Sequence, residues 1–173
     1  MSSALLILVQ WIFPFMLLSL AVIEDLKQRK VRNNFIIVSF VMALVLLLLQ
    51  EGIQGLPVGM LSLVAAFGVG FPLFLLRVVG AGDVKLLMVL ALNLDWNAVL
   101  TVACASLVWG ALLGIIQILL KKQGHVLAQN LVSIMKTRTA LQSQELHHIP
   151  FTVALLLGWL THITMTQNGG VWL

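Results

Sequence analysis

The chain has 173 residues, of which 61% are hydrophobic and 9% charged, with a formal net charge of +4 and a mean hydropathy of +1.08. Soluble domains carry about 25% charged residues, so this composition excludes a water-soluble globular domain and indicates an integral membrane protein. A single cysteine, Cys104, excludes an intramolecular disulfide and a cysteine-only zinc cluster, and none of the four histidines stands at a zinc-binding spacing from it.

Ala4 to Ile23 is the first apolar run, about twenty residues and long enough to cross a hydrocarbon core of about 30 Å. Met1-Ser2-Ser3 carries no basic residue and the run outlasts a usual signal-peptide core, so it reads as a retained helix. It ends at Glu24-Asp25. Phe35 to Leu49 is the second run and Leu56 to Leu76 the third, with Pro57 suited to a first turn and Pro72 expected to kink or loosen the end. Val78 to Leu94, which contains Asp83 and Lys85, is expected as the fourth span. Ala98 to Leu120 is the fifth and Ile149 to Thr166 the sixth. The expected fold class is all-α, a polytopic membrane helix bundle of about six transmembrane helices, read as one membrane domain over residues 1–173.

The charges test that layout. Lys27, Arg29, Lys30 and Arg32 follow the first span, and Arg77 and Lys85 lie around the turn between the third and fourth. Lys121, Lys122, Lys136 and Arg138 lie between the fifth and sixth, which accounts for all ten basic residues. A six-span reading puts every one on the same side, with Glu51 and Asp95 opposite. Positive residues stay cytoplasmic, so both termini are expected outside the cytoplasm. Basic residues spaced between apolar segments are a topology signal rather than a nucleic-acid groove. The segment 121–148 is expected in the cytoplasm, where Leu127, Leu131, Ile134, Met135 and Leu141 recur at helical spacing and suit an amphipathic helix on the inner leaflet or over the site.

Asp25 and Asp83 are the residues to which chemistry points. A carboxylate among apolar segments costs roughly 2.5–3.5 kcal/mol on insertion scales and needs a reason to be there. The charge map brings both to one end of the bundle, where a pair sharing one proton can hydrolyse a peptide. The ionised member activates water, and the protonated member polarises the carbonyl and then protonates the leaving amine. Gly80 and Gly82 leave the backbone before Asp83 free to flex and open to a substrate strand. Read only as residues, the pair is equally compatible with a proton relay in a transporter or with structural salt bridges. Lys85 does not pair with Asp83 within one helix, because residues two apart point to different faces. Glu24, His125, His147, His148, His162 and the five tryptophans read as interfacial or packing residues, and Gly110 with Gly114 as a helix-packing motif. No cofactor or metal is called for.

Asp25, then Val31-Arg32-Asn33, then Gly80-Ala81-Gly82-Asp83-Val84-Lys85-Leu86-Leu87 resembles the type IV prepilin peptidase family, membrane aspartic endopeptidases with a Gly-x-Gly-Asp motif. The resemblance covers most of the chain, including a last helix that begins Ile149-Pro150. It implies catalytic roles for Asp25 and Asp83, supported by Gly80, Gly82, Asn33 and Lys85. It also implies removal of a short basic leader from pilin-like precursors at the cytoplasmic face of the bacterial inner membrane. One departure is Arg32, where the family usually has proline in an Ile-Pro-Asn motif. Longer members carry a cytoplasmic insert with paired Cys-x-x-Cys motifs and also methylate the new N-terminus. With neither the insert nor the paired cysteines, this chain resembles the short, peptidase-only branch associated with tight-adherence (Flp-type) pili, and no methyltransferase activity is expected. The expected partners are therefore a prepilin and the bilayer, not nucleic acid, and the sequence does not define an oligomeric state.

Overall fold

The computed structural model describes residues 11–28, 31–120 and 151–167, and among these the protein is all-helical with no strand. Six α-helices follow in chain order: α1 (Phe13–Gln28), α2 (Asn33–Glu51), α3 (Leu56–Leu75), α4 (Ala81–Ala91), α5 (Trp96–Leu120) and α6 (Phe151–Gln167). A 3-10 turn, Gly52–Gly55, joins α2 to α3. Gly52 enters it at a φ of 66°, a left-handed conformation that glycine adopts without a Cβ penalty.

Among the described residues, two stretches are long and apolar enough to cross a membrane: Asn33–Leu75, which contains α2, the turn and α3, and Trp96–Gln117 in α5. Their outward faces are strongly apolar. Ile37, Val38, Met60, Leu61 and Val64 are all more than half exposed, a surface suited to lipid rather than water. The first expected span is seen only from its middle onward, but its helix runs past Ile23 to Gln28, so Asp25 is helical. The fourth expected span differs most. Instead of Val78 to Leu94, it is helical over the 11 residues Ala81–Ala91, a rise of about 16 Å, so the helix alone covers about half of a 30 Å core. The cytoplasmic segment expected at 121–148, with His125, His147 and His148, lies outside the described residues, as do Ile149 and Pro150.

Lipid chains are as apolar as leucine, so helices in a bilayer associate through close packing rather than escape from water. The sequence provides for this with small residues on single stripes. On α3, Gly59, Ser62, Ala66 and Gly70 recur on one face and are buried. A Cβ on Gly70 would stand 2.8 Å from the Val84 side chain, and one on Gly59 would stand 3.2 Å from the Leu92 carbonyl. Helix α4 therefore runs antiparallel to α3 in close contact, and most of its side chains are buried among its neighbours. Between α5 and α6, Gly158 lies directly on Ser106, where there is no room for a Cβ, and Gly110 faces Phe151 and Ala154. Gly110 thus packs as its motif suggested.

The turn between α3 and α4 closes the end of α3, whose last turn contains Pro72. There the carbonyls of Pro72, Leu73 and Phe74 are taken up by the amides of Leu76, Val78 and Arg77. The crossed pattern of this helix end requires one left-handed residue. Arg77 takes that place at a φ of 58°, where glycine is usual.

Candidate functional site

Four helix ends meet at one end of the bundle. The end of α1 brings Asp25, and the start of α2 brings Asn33. The start of α4 brings Gly80 to Lys85, and the start of α6 brings Phe151 and Thr152. Three polar contacts tie them. The Thr152 hydroxyl donates to Asp25 Oδ2 at 2.8 Å, and Lys85 Nζ donates to Asn33 Oδ1 at 3.1 Å. The Arg32 amide donates to Glu24 Oε2 at 3.3 Å. Glu24, expected as an interfacial residue, thus braces the link between α1 and α2. Lys27, Arg32, Arg77 and Lys85 share this end, while Glu51 and Asp95 lie at the other, beside the packing of Gly55, Gly59, Leu47 and Leu92.

Asp83 is the third residue of α4, with Gly80 as the N-cap in extended backbone. Its carboxylate turns back to accept the Gly80 amide at 3.3 Å, half of a reciprocal capping arrangement that satisfies an otherwise orphaned donor. A Cβ on Gly80 would stand 3.1 Å from Asp83 Oδ2, so a side chain there would crowd this return. The φ of Gly80 is −75°, an ordinary value. What this glycine contributes in the folded chain is space for the carboxylate. Gly82 lies against Val31, where an added Cβ would meet ordinary van der Waals contact at 3.5 Å.

Asp83 borders a narrow cleft whose walls come from α3, α4, α5 and α6, including Gly70, Leu87, Ser106, Phe151 and Leu155. The cleft leaves about 10 Å³, room for roughly one water molecule. A peptide needs it to widen. Asp83 lies outside both stretches that can cross the membrane, and its pKa is pushed up to about 7. Burial is the main cause, and the negative charge of nearby Asp25 acts in the same direction, while the Gly80 amide opposes them. The fold has therefore brought Asp25 and Asp83 within electrostatic reach across 58 positions of sequence (83 − 25).

Asn33 and Lys85, expected as separate supporting residues, are hydrogen-bonded to each other. Thr152 is not among the residues the sequence singles out; its one signal there is its place near the start of the last apolar run. No cluster of three or more histidine, cysteine, aspartate or glutamate residues able to hold a metal ion occurs among the described residues. His162 is half-buried on α6, away from the end that carries the two aspartates.

The described residues thus form an all-helical bundle with Asp25 and Asp83 at one end. A family model described as the type IV leader peptidase family matches residues 11–115, more than half of the chain. The protein belongs to that family, whose members are proteases of aspartic type. The match takes in Asp25, Asn33, Gly80, Gly82, Asp83 and Lys85. The comparisons with curated proteins and with solved structures give no match.

Proposed function

We propose that this protein is a prepilin peptidase that cuts the leader from Flp-like pilin precursors, with Asp25 and Asp83 as its catalytic pair. The observation that carries the reading is the electrostatic proximity of these two carboxylates, with Asp83 bordering a narrow cleft, in a member of the leader peptidase family. Burial and the Asp25 charge favour the neutral form of Asp83. In this reading Asp83 polarises the scissile carbonyl and later protonates the leaving amine, while ionised Asp25 takes a proton from the attacking water. A protonated and an ionised carboxylate then exchange roles as the tetrahedral intermediate collapses.

The chain acts as a single membrane domain of the bacterial inner membrane, in several passes. The site is cytoplasmic and both termini are periplasmic, because Lys27, Arg32, Arg77 and Lys85 share its end of the bundle. Its one cysteine and lack of a Cys-x-x-Cys insert support peptidase activity without N-methylation. A basic enzyme face does not attract a basic leader by bulk charge. Recognition therefore rests on the precursor's apolar helix packing against the spans, with the leader held by anionic lipid or by the acidic pair.

The test uses purified protein in detergent with a pilin-like precursor, comparing the wild type with Asp25→Asn and Asp83→Asn. Cleavage by the wild type and its loss in both variants is expected. Full cleavage by either variant would sink the two-aspartate mechanism. A mass spectrum of the product gives the cut site and shows whether its N-terminus is methylated.

A further inference from the structure

The geometry points to Thr152 as a positioning residue that holds the Asp25 carboxylate in its working orientation, an inference that rests on Asp25 being catalytic. Serine and threonine hydroxyls inside helices usually return to their own backbone. Thr101, Ser106, Thr161, Thr164 and Thr166 do so here, each donating to a carbonyl three or four residues earlier. Thr152 instead donates across the bundle, from the first turn of α6 to the last turn of α1, at 2.8 Å. Its side chain is fully buried, while Asp25 is half-buried.

A carboxylate near a helix end swings about two side-chain bonds, and a well-placed donor on one oxygen fixes its plane. By engaging Oδ2, Thr152 sets how the remainder of the group is turned toward water and Asp83. The anchor is itself rigid. Phe151, the neighbour of Thr152, lines the cleft beside Asp83, and α6 is locked to α5 where Gly158 lies on Ser106. One turn of α6 thus borders Asp83 with one residue and holds Asp25 with the next.

The experiment measures kcat and KM for precursor cleavage in detergent by wild type, Thr152→Val, Thr152→Ser and Asp25→Asn. Valine keeps the shape and removes the donor, whereas serine keeps the donor. A hydrogen bond to a charged group predicts a fall in kcat of about 10- to 100-fold for Thr152→Val with KM little changed, and recovery to within about threefold for Thr152→Ser. Wild-type kcat in Thr152→Val, or an equal loss in Thr152→Ser, would overturn the positioning role while leaving the aspartate pair intact. Wild-type cleavage by Asp25→Asn would overturn the underlying pair as well. If the valine variant does not fold, Thr152→Ala against Thr152→Ser makes the same comparison.

Discussion

Replacing Asp83 with asparagine is expected to abolish cleavage and, at neutral and higher pH, to make the protein more stable. The wild-type carboxyl titrates near 3.8 when free and at about 7 in the fold. A carboxyl raised in this way is neutral in both states below about pH 4 and contributes no penalty there. As pH rises from about 4 to 7, the unfolded chain gains a favourable ionisation that the folded chain resists, and above about 7 the penalty is constant. The full difference corresponds to about 4 kcal/mol, an upper bound because the carboxyl retains some access to water. About 2–3 kcal/mol of it falls between pH 5 and pH 8. For a chain of this size that is a shift in Tm of roughly 5–10 °C. The assay is thermal unfolding in detergent at pH 5 and pH 8, followed by tryptophan fluorescence or circular dichroism. Wild type should melt lower at pH 8 than at pH 5, and Asp83→Asn should lose most of that slope and melt above wild type at pH 8. Equal slopes in the two proteins, or no gain at pH 8, would refute the account of Asp83 as a buried carboxyl that resists ionisation.

Other outcomes follow from the same geometry. Wild-type cleavage should decline as pH rises through about 7, because the acid that protonates the leaving amine is then lost; a rate still rising at pH 9 would contradict Asp83 in that role. Gly158→Val should separate α5 from α6 and cost about 3 kcal/mol or more, seen as a lower Tm and loss of cleavage, because its side chain has no space beside Ser106. Arg32→Pro should change Tm by only a few degrees in either direction. Arg32 already has a φ of −69°, so the stiffer residue fits, at the expense of one exposed hydrogen bond to Glu24. A precursor with a neutral leader should be cut more slowly in anionic vesicles, and equal rates would show that leader charge plays no part in recognition.

Most of the helices were legible because their apolar runs are long and their ends are marked by charge, glycine or proline. Asp25 and Asp83 were legible because acids are rare in this chain and costly among apolar segments. The charge pattern placed them at one end without any knowledge of contacts. What lay beyond the sequence was cross-helix pairing. Thr152 meets Asp25 from 127 positions away, and Lys85 meets Asn33 across 52. Such partners are set by helix rotation and close approach, which depend on glycine contacts such as Gly70 with Val84. The length of α4 is not legible in the sequence because hydropathy continues through Leu94, although the helix yields to a turn after Ala91. That Arg32 fits where the family usually has proline is likewise legible only in the dihedral angles, since its backbone adopts the shape proline would impose.

The two carboxylates ride on different helices. Asp25 lies in the last turn of α1 and is held by Thr152 of α6, while Asp83 lies in the first turn of a short helix pressed against α3, with Phe151 of α6 lining its cleft. Their separation therefore depends on how these packed blocks sit together, with the first turn of α6 touching both sides. A detergent or bilayer thickness that eases these blocks apart by an ångström would leave the helices intact and the circular dichroism unchanged, yet silence the pair. For this protein, the choice of amphiphile is a structural variable of the same rank as a mutation.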